Sequence, residues 1–96
     1  MILHTVKTSP FQTSTLTACV KLMSSEDTLL LIEDGVVASQ AIHPCYEQLK
    51  LLSEQGRLMV LDADLKARGI KNNIGKVCSY ADFVELVVQH KSQMAW

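Results

Sequence analysis

Thr28-Leu29-Leu30-Leu31-Ile32, running straight into Glu33-Asp34-Gly35, decides the fold. A strand with one wet face alternates apolar and polar residues, because successive side chains point to opposite sides of the sheet. This run has no such alternation. A strand apolar on both sides belongs to a parallel sheet with helices packed on each face. Leu58-Met59-Val60-Leu61 repeats the pattern.

Outward from the first run, the period changes. On its N-terminal side Leu16, Cys19, Val20 and Met23 recur at helical spacing, with Thr13 or Ser14 placed to cap the helix. Pro10 separates that helix from a first strand at Ile2–Val6. On the C-terminal side the spacing predicts a brief helical turn at Val36–Ala41. A helix follows, with Pro44 at its first position, Cys45, Leu49 and Leu52 on its stripe, and Gly56 as terminator. Asp62 or Asp64 is placed to cap a short helix, Leu65–Arg68, stopped by Gly69. Lys76-Val77-Cys78 reads as a last short strand. Ser79-x-x-Asp82 resembles a capping box opening a helix from Tyr80 to Lys91, with Phe83, Val84, Val87 and Val88 inward. Residues 92–96 read as a tail. Strands alternating with helices predict one three-layer α/β domain over residues 1–96. Its sheet is mainly parallel, of four or five strands, with right-handed crossovers.

Composition narrows the function. The chain has 96 residues, 48% of them hydrophobic, so it can bury one core. Nine Lys and Arg against ten Asp and Glu give a net charge of −1, which argues against a nucleic-acid-coating protein. The longest aliphatic run, Leu29–Ile32, is too short for a membrane span, and MILHTVK lacks the layout of a signal peptide. Three dispersed cysteines fit a reducing compartment better than a disulfide framework. The expectation is a soluble cytoplasmic domain.

In an open α/β sheet ligands bind beyond the carboxyl ends of the strands. Those ends carry Lys7-Thr8-Ser9, Glu33-Asp34-Gly35, Asp62-Ala63-Asp64 and Ser79-Tyr80. The first is rich in hydroxyls but lacks the glycines of a phosphate loop. The four carboxylates suit helix capping as well as acid–base work. His4, His43 and His90 share no metal-ligand spacing with one another or with the cysteines, so neither metal nor cofactor is expected. The missing glycines also disfavour a flavin or nucleotide binder. Cys45 and Cys78 fall where small buried apolar residues belong. Cys19 reads either as core on its helix stripe or as a sulfur nucleophile. Met94, Ala95 and Trp96 form an apolar ending that docks onto its own domain or onto a partner.

The sequence resembles the DsrH/TusB family of sulfur-relay proteins over essentially its whole length. The likeness rests on Leu3-His4-Thr5 with Ser9-Pro10, on Leu30-Leu31 leading into Glu33-Asp34-Gly35, and on Leu61-x-x-Asp64-Leu65-x-Ala67-Arg68-Gly69. It continues with Tyr80-x-Asp82-Phe83-Val84 and His90-x-Ser92-Gln93-Met94-Ala95-Trp96. The resemblance implies a flavodoxin-like (DsrE/F-like) fold and a structural, non-catalytic subunit of a TusBCD-like complex. TusC-like and TusD-like subunits would be its partners in a dimer of heterotrimers. That complex would take sulfur from a TusA-like carrier and pass it to a TusE-like protein, for 2-thiolation of 5-methylaminomethyl-2-thiouridine at tRNA wobble positions. It also implies that the persulfide cysteine lies in a partner subunit and that this chain does not bind tRNA directly. Isolated, the chain could form a homo-oligomer. The alternative is a DsrH-like subunit of sulfur oxidation carrying persulfide on Cys19. Trp96 and Met94 are the expected partner contacts.

Overall fold

The computed structural model describes residues 1–40 and 42–96. Five strands, β1 (Ile2–Val6), β2 (Thr28–Leu31), β3 (Leu58–Leu61), β4 (Lys76–Cys78) and β5 (Ser92–Ala95), form one sheet in the order β4-β3-β2-β1-β5. All four pairings are parallel. The helices are α1 (Thr15–Leu22), α2 (Tyr46–Glu54), α3 (Asp62–Ala67) and α4 (Tyr80–Gln89), with a 3-10 helix over Glu33–Ser39 between β2 and α2. The α/β architecture and parallel sheet expected from the two apolar runs are present. The expected turn is that 3-10 helix, while Ala41 lies outside the described residues.

The order of strands explains where the helices sit. The chain steps from β1 to β2 to β3 to β4 in one direction, then returns past three strands to β5. Right-handed crossovers that reverse direction must change face. Accordingly Leu16 and Cys19 of α1, Leu49 and Leu52 of α2 and Leu65 of α3 share one buried cluster with Val6, Leu29, Leu31, Leu58 and Val60. Among the described residues only α4 covers the other face, where Leu3, Leu30 and Cys78 are buried and Ile32, Met59, Phe83, Leu86 and Val87 pack around them.

Several sequence expectations change. Residues 92–95 are no tail: they pair with β1 from Ile2↔Ser92 to Thr5↔Ala95, supplying the fifth strand. No apolar run marked this strand, because it is an edge strand exposed at all four residues. Helix α3 begins directly at Asp62 after Leu61, with no side-chain cap. Of the two residues placed to cap α1, Ser14 holds the cap position without a side-chain bond, while the Thr13 hydroxyl accepts from the Thr15 N–H at 3.4 Å. Pro44 sits outside α2, which starts at Tyr46 after Cys45. The Ser79–Asp82 capping box does form, with both reciprocal bonds at 3.1 Å. Helix α4 stops at Gln89 because His90 adopts extended backbone and leads into β5.

One glycine is fixed by space. A Cβ on Gly35 would lie 2.2 Å from the Val6 carbonyl oxygen, so the 3-10 helix can lie against the end of β1 only if this position has no side chain.

Candidate functional site

At the carboxyl ends of the strands, the residue types singled out by sequence are largely occupied in holding loops together. Glu33 adopts a left-handed backbone, φ 48°, unusual outside glycine. Its N–H is held by Asp64 Oδ2 at 2.8 Å. Arg68 extends the clamp, donating to Asp34 Oδ1 at 3.0 Å and lying 3.6 Å from Asp64 Oδ1. Asp62 pairs instead with Lys66 at 3.0 Å. Thus Glu33-Asp34-Gly35 and Asp64–Arg68 form one loop-to-loop brace. Asp64 does satisfy a backbone N–H, but one on a neighbouring loop and not one of its own helix.

The hydroxyl-rich loop after β1 is also spent on itself. Thr8 and Thr13 hydroxyls lie 2.9 Å apart, and Ser9 Oγ accepts from the Phe11 N–H at 3.2 Å. Beside it lies a cavity of about 310 Å³ lined by Phe11, Thr13, Thr17, His43 and Cys45 among others. His43 is fixed at both ring nitrogens: Nε2 bonds to the Ala38 carbonyl at 2.9 Å, and Nδ1 accepts from the Cys45 N–H at 3.2 Å. Among the described residues, no three His, Cys, Asp or Glu side chains stand together as a metal site.

All three cysteines are buried. Cys19 lies at zero exposure on α1. Burial, and secondarily the negative charge of Asp27, push its thiol from an ordinary 9.0 up to about 12, which disfavours the reactive thiolate. The Cys45 thiol lies 3.1 Å from the Thr17 hydroxyl. Cys78 ends β4, where burial raises its thiol, Asp82 adds to the rise and Lys76 opposes it.

The expected partner contacts divide. Trp96 folds back onto its own domain, packing against the cluster that contains Cys19, with its indole N–H donating to His4 Nδ1 at 3.1 Å. Met94, in register with His4, remains 38% exposed. The His4 ring in turn bonds through Nε2 to Asp27 Oδ2 at 2.8 Å, both groups buried. Burial alone would raise the Asp27 carboxyl. Its bonds from His4, from Ser24 and from the Ile2 N–H outweigh that and hold it well below the usual carboxylate range. Sequence reading missed this network. His4 and Asp27 are 23 positions apart, and only the β1–β2 pairing brings them together.

The other missed feature is an apolar surface. Of the four α4 residues expected inward, Phe83 and Val87 are half-buried, but Val84 and Val88 are exposed at 63% and 79%. With exposed Tyr80 they form a stripe at i, i+4 and i+8. A wholly apolar groove of about 220 Å³ runs along Phe83, Val84, Val87 and Val88.

Comparison with known proteins assigns the family, because the DsrH family, described as DsrH like protein, matches residues 8–93. The chain belongs to the DsrH family. Its relatives include proteins named Protein TusB from Cronobacter sakazakii, 39% identical over 98 residues, and from Erwinia tasmaniensis, 40% identical over 98 residues. Protein TusB of Yersinia pestis is 39% identical over 99 residues. Each comparison spans 99% of this chain and all of the relative. The loop brace and the buried thiols are therefore features of a DsrH-family chain whose whole length, β5 included, aligns with these relatives.

Proposed function

We propose that this DsrH-family chain is the structural, non-catalytic subunit of a TusBCD-like sulfur relay serving 2-thiolation of 5-methylaminomethyl-2-thiouridine at tRNA wobble positions. The full-length likeness to proteins named Protein TusB carries this reading. Its partners in the cytoplasm are TusC-like and TusD-like subunits, arranged as a dimer of heterotrimers. That assembly receives sulfur from a TusA-like protein and delivers it to a TusE-like one.

Two observations of the fold support a partner-holding role. The thiols are buried, with Cys19 held protonated, so sulfur chemistry is better placed on another chain. The α4 stripe exposes apolar surface that gains from being covered. At the β5 edge of the sheet, Met94 and the half-buried Trp96 are the proposed contacts. The near-neutral charge leaves tRNA binding to other proteins.

The rival reading gives Cys19 a persulfide in sulfur oxidation. That requires the thiol to reach solvent and ionise, against its burial and the Asp27 charge. The test is to delete the gene in its host, measure wobble 2-thiouridine by mass spectrometry of digested tRNA, and purify the tagged chain with its partners. Loss of the thio group, together with recovery of two small homologous subunits, supports the proposal. Unchanged tRNA thiolation overturns it, and a sulfur mass gain on Cys19 in the native protein establishes the rival.

A further inference from the structure

The contact between His4 and Trp96 has a polarity that constrains the histidine. An indole N–H only donates, so His4 Nδ1, 3.1 Å away, must present a lone pair. The single ring proton then sits on Nε2 and is donated to Asp27 Oδ2. A second proton has one place to go, Nδ1, where it would face the indole N–H, donor against donor. The bond to Trp96 cannot survive that second proton.

What that bond holds is the end of an edge strand. Strand β5 lies at the sheet edge with all four residues exposed. Apart from its ladder to β1, its end is secured by the Trp96 N–H to the Thr5 carbonyl at 2.9 Å and by the indole seated on His4. The far side of the network is firm. Asp27 also accepts from the Ile2 and Ser24 N–H groups, and the Arg57 guanidinium donates to the Asp27 and Ser24 carbonyls.

We propose that His4 is a proton-operated latch on β5: with Nδ1 unprotonated it holds Trp96 down, and protonation of Nδ1 frees the indole and loosens the edge strand. The titratable or charged groups tied to the ring or to its Asp27 partner are few. They are the Asp27 carboxylate from the loop before β2, the Cys19 thiol of α1, which feels the Asp27 charge, and Arg57, the residue before β3, which donates to the Asp27 carbonyl. His90, at the end of α4, bonds to Thr28 on the sheet's other face. Met94, beside His4 on β5, carries no charge.

Trp96 is the only tryptophan, so its fluorescence reads the latch directly. The full chain is titrated through the histidine range, roughly pH 5–8, following Trp96 emission and the indole N–H signal by NMR. The latch predicts a red shift and loss of indole protection on acidification, with the amides of β2 and β3 still protected. His4→Gln, which has no titrating ring, is predicted to abolish the transition. If that variant does not fold, the imidazole nitrogen shifts of the natural chain decide instead, with Nδ1 gaining its proton at the same midpoint as indole release. A flat fluorescence profile overturns the latch. So does a transition that persists in His4→Gln, or an indole that stays docked while Nδ1 is protonated.

Discussion

The two faces of the sheet are built to different standards. One is sealed by α1, α2, α3 and the 3-10 helix over fully buried aliphatic residues from three central strands. The other is covered, among the described residues, by α4 alone, a helix with no fully buried residue of its own. The difference follows from topology, since three crossovers run one way and a single one returns. It teaches that burial is divided unequally between the faces, as the proposed partner-holding role requires. The sealed face holds the domain together, and the thinly covered one leaves Tyr80, Val84 and Val88 exposed.

That division can be broken by unequal mutations. Leu49→Ala, at a fully buried position on the sealed face, is expected to cost about 2–5 kcal/mol in urea unfolding of the isolated chain. Leu86→Ala, half-buried under α4, is expected to cost on the order of 1 kcal/mol. Equal costs would erase the distinction. Gly35→Ala is expected to lose about 1–3 kcal/mol or more, because its Cβ meets the Val6 carbonyl and backbone must move.

Stability against pH sharpens the contrast, since both strongly shifted buried groups lie toward the sealed side. The Asp27 carboxyl is lowered by folding. Its contribution is complete above the unfolded value of about 3.9 and is lost as pH falls toward the folded value. Asp27→Asn should flatten this acid limb of the urea midpoint. Cys19 is raised, so its contribution is complete below 9.0 and is lost as pH rises from there through about 12. Cys19→Ala should remove that alkaline limb, and in the native chain at neutral pH Cys19 should resist alkylation. The smallest effect on stability belongs to α4: Val84→Ser and Val88→Ser should change the isolated chain by no more than about 0.5 kcal/mol. Both should nonetheless weaken assembly with partner subunits on a sizing column.

Sequence made the sealed face legible. Leu29–Leu31 and Leu58–Leu61 announced buried parallel strands, and the α1 and α2 stripes named Leu16, Cys19, Leu49 and Leu52 correctly. It failed where an apolar residue was not buried. Periodicity marks Val84 and Val88 as apolar but cannot say whether the sheet or another protein covers them. It also failed at β5, whose Ser92-Gln93-Met94-Ala95 has no strand pattern and is held by backbone pairing to β1. The site residues were legible as types and not as partners. The Asp27–His4–Trp96 chain joins three segments that only the sheet order brings together.

The central claim is that the thinly covered face is completed by a partner subunit. Its most direct test is hydrogen–deuterium exchange of this chain, alone and co-purified with the TusC-like and TusD-like subunits proposed as its partners. Amides of α4, residues 80–89, are predicted to exchange readily alone and to become protected in the complex, while α1 and α2 stay as they were. Protection confined to α1 and α2, with α4 exchanging equally in both states, would contradict the account.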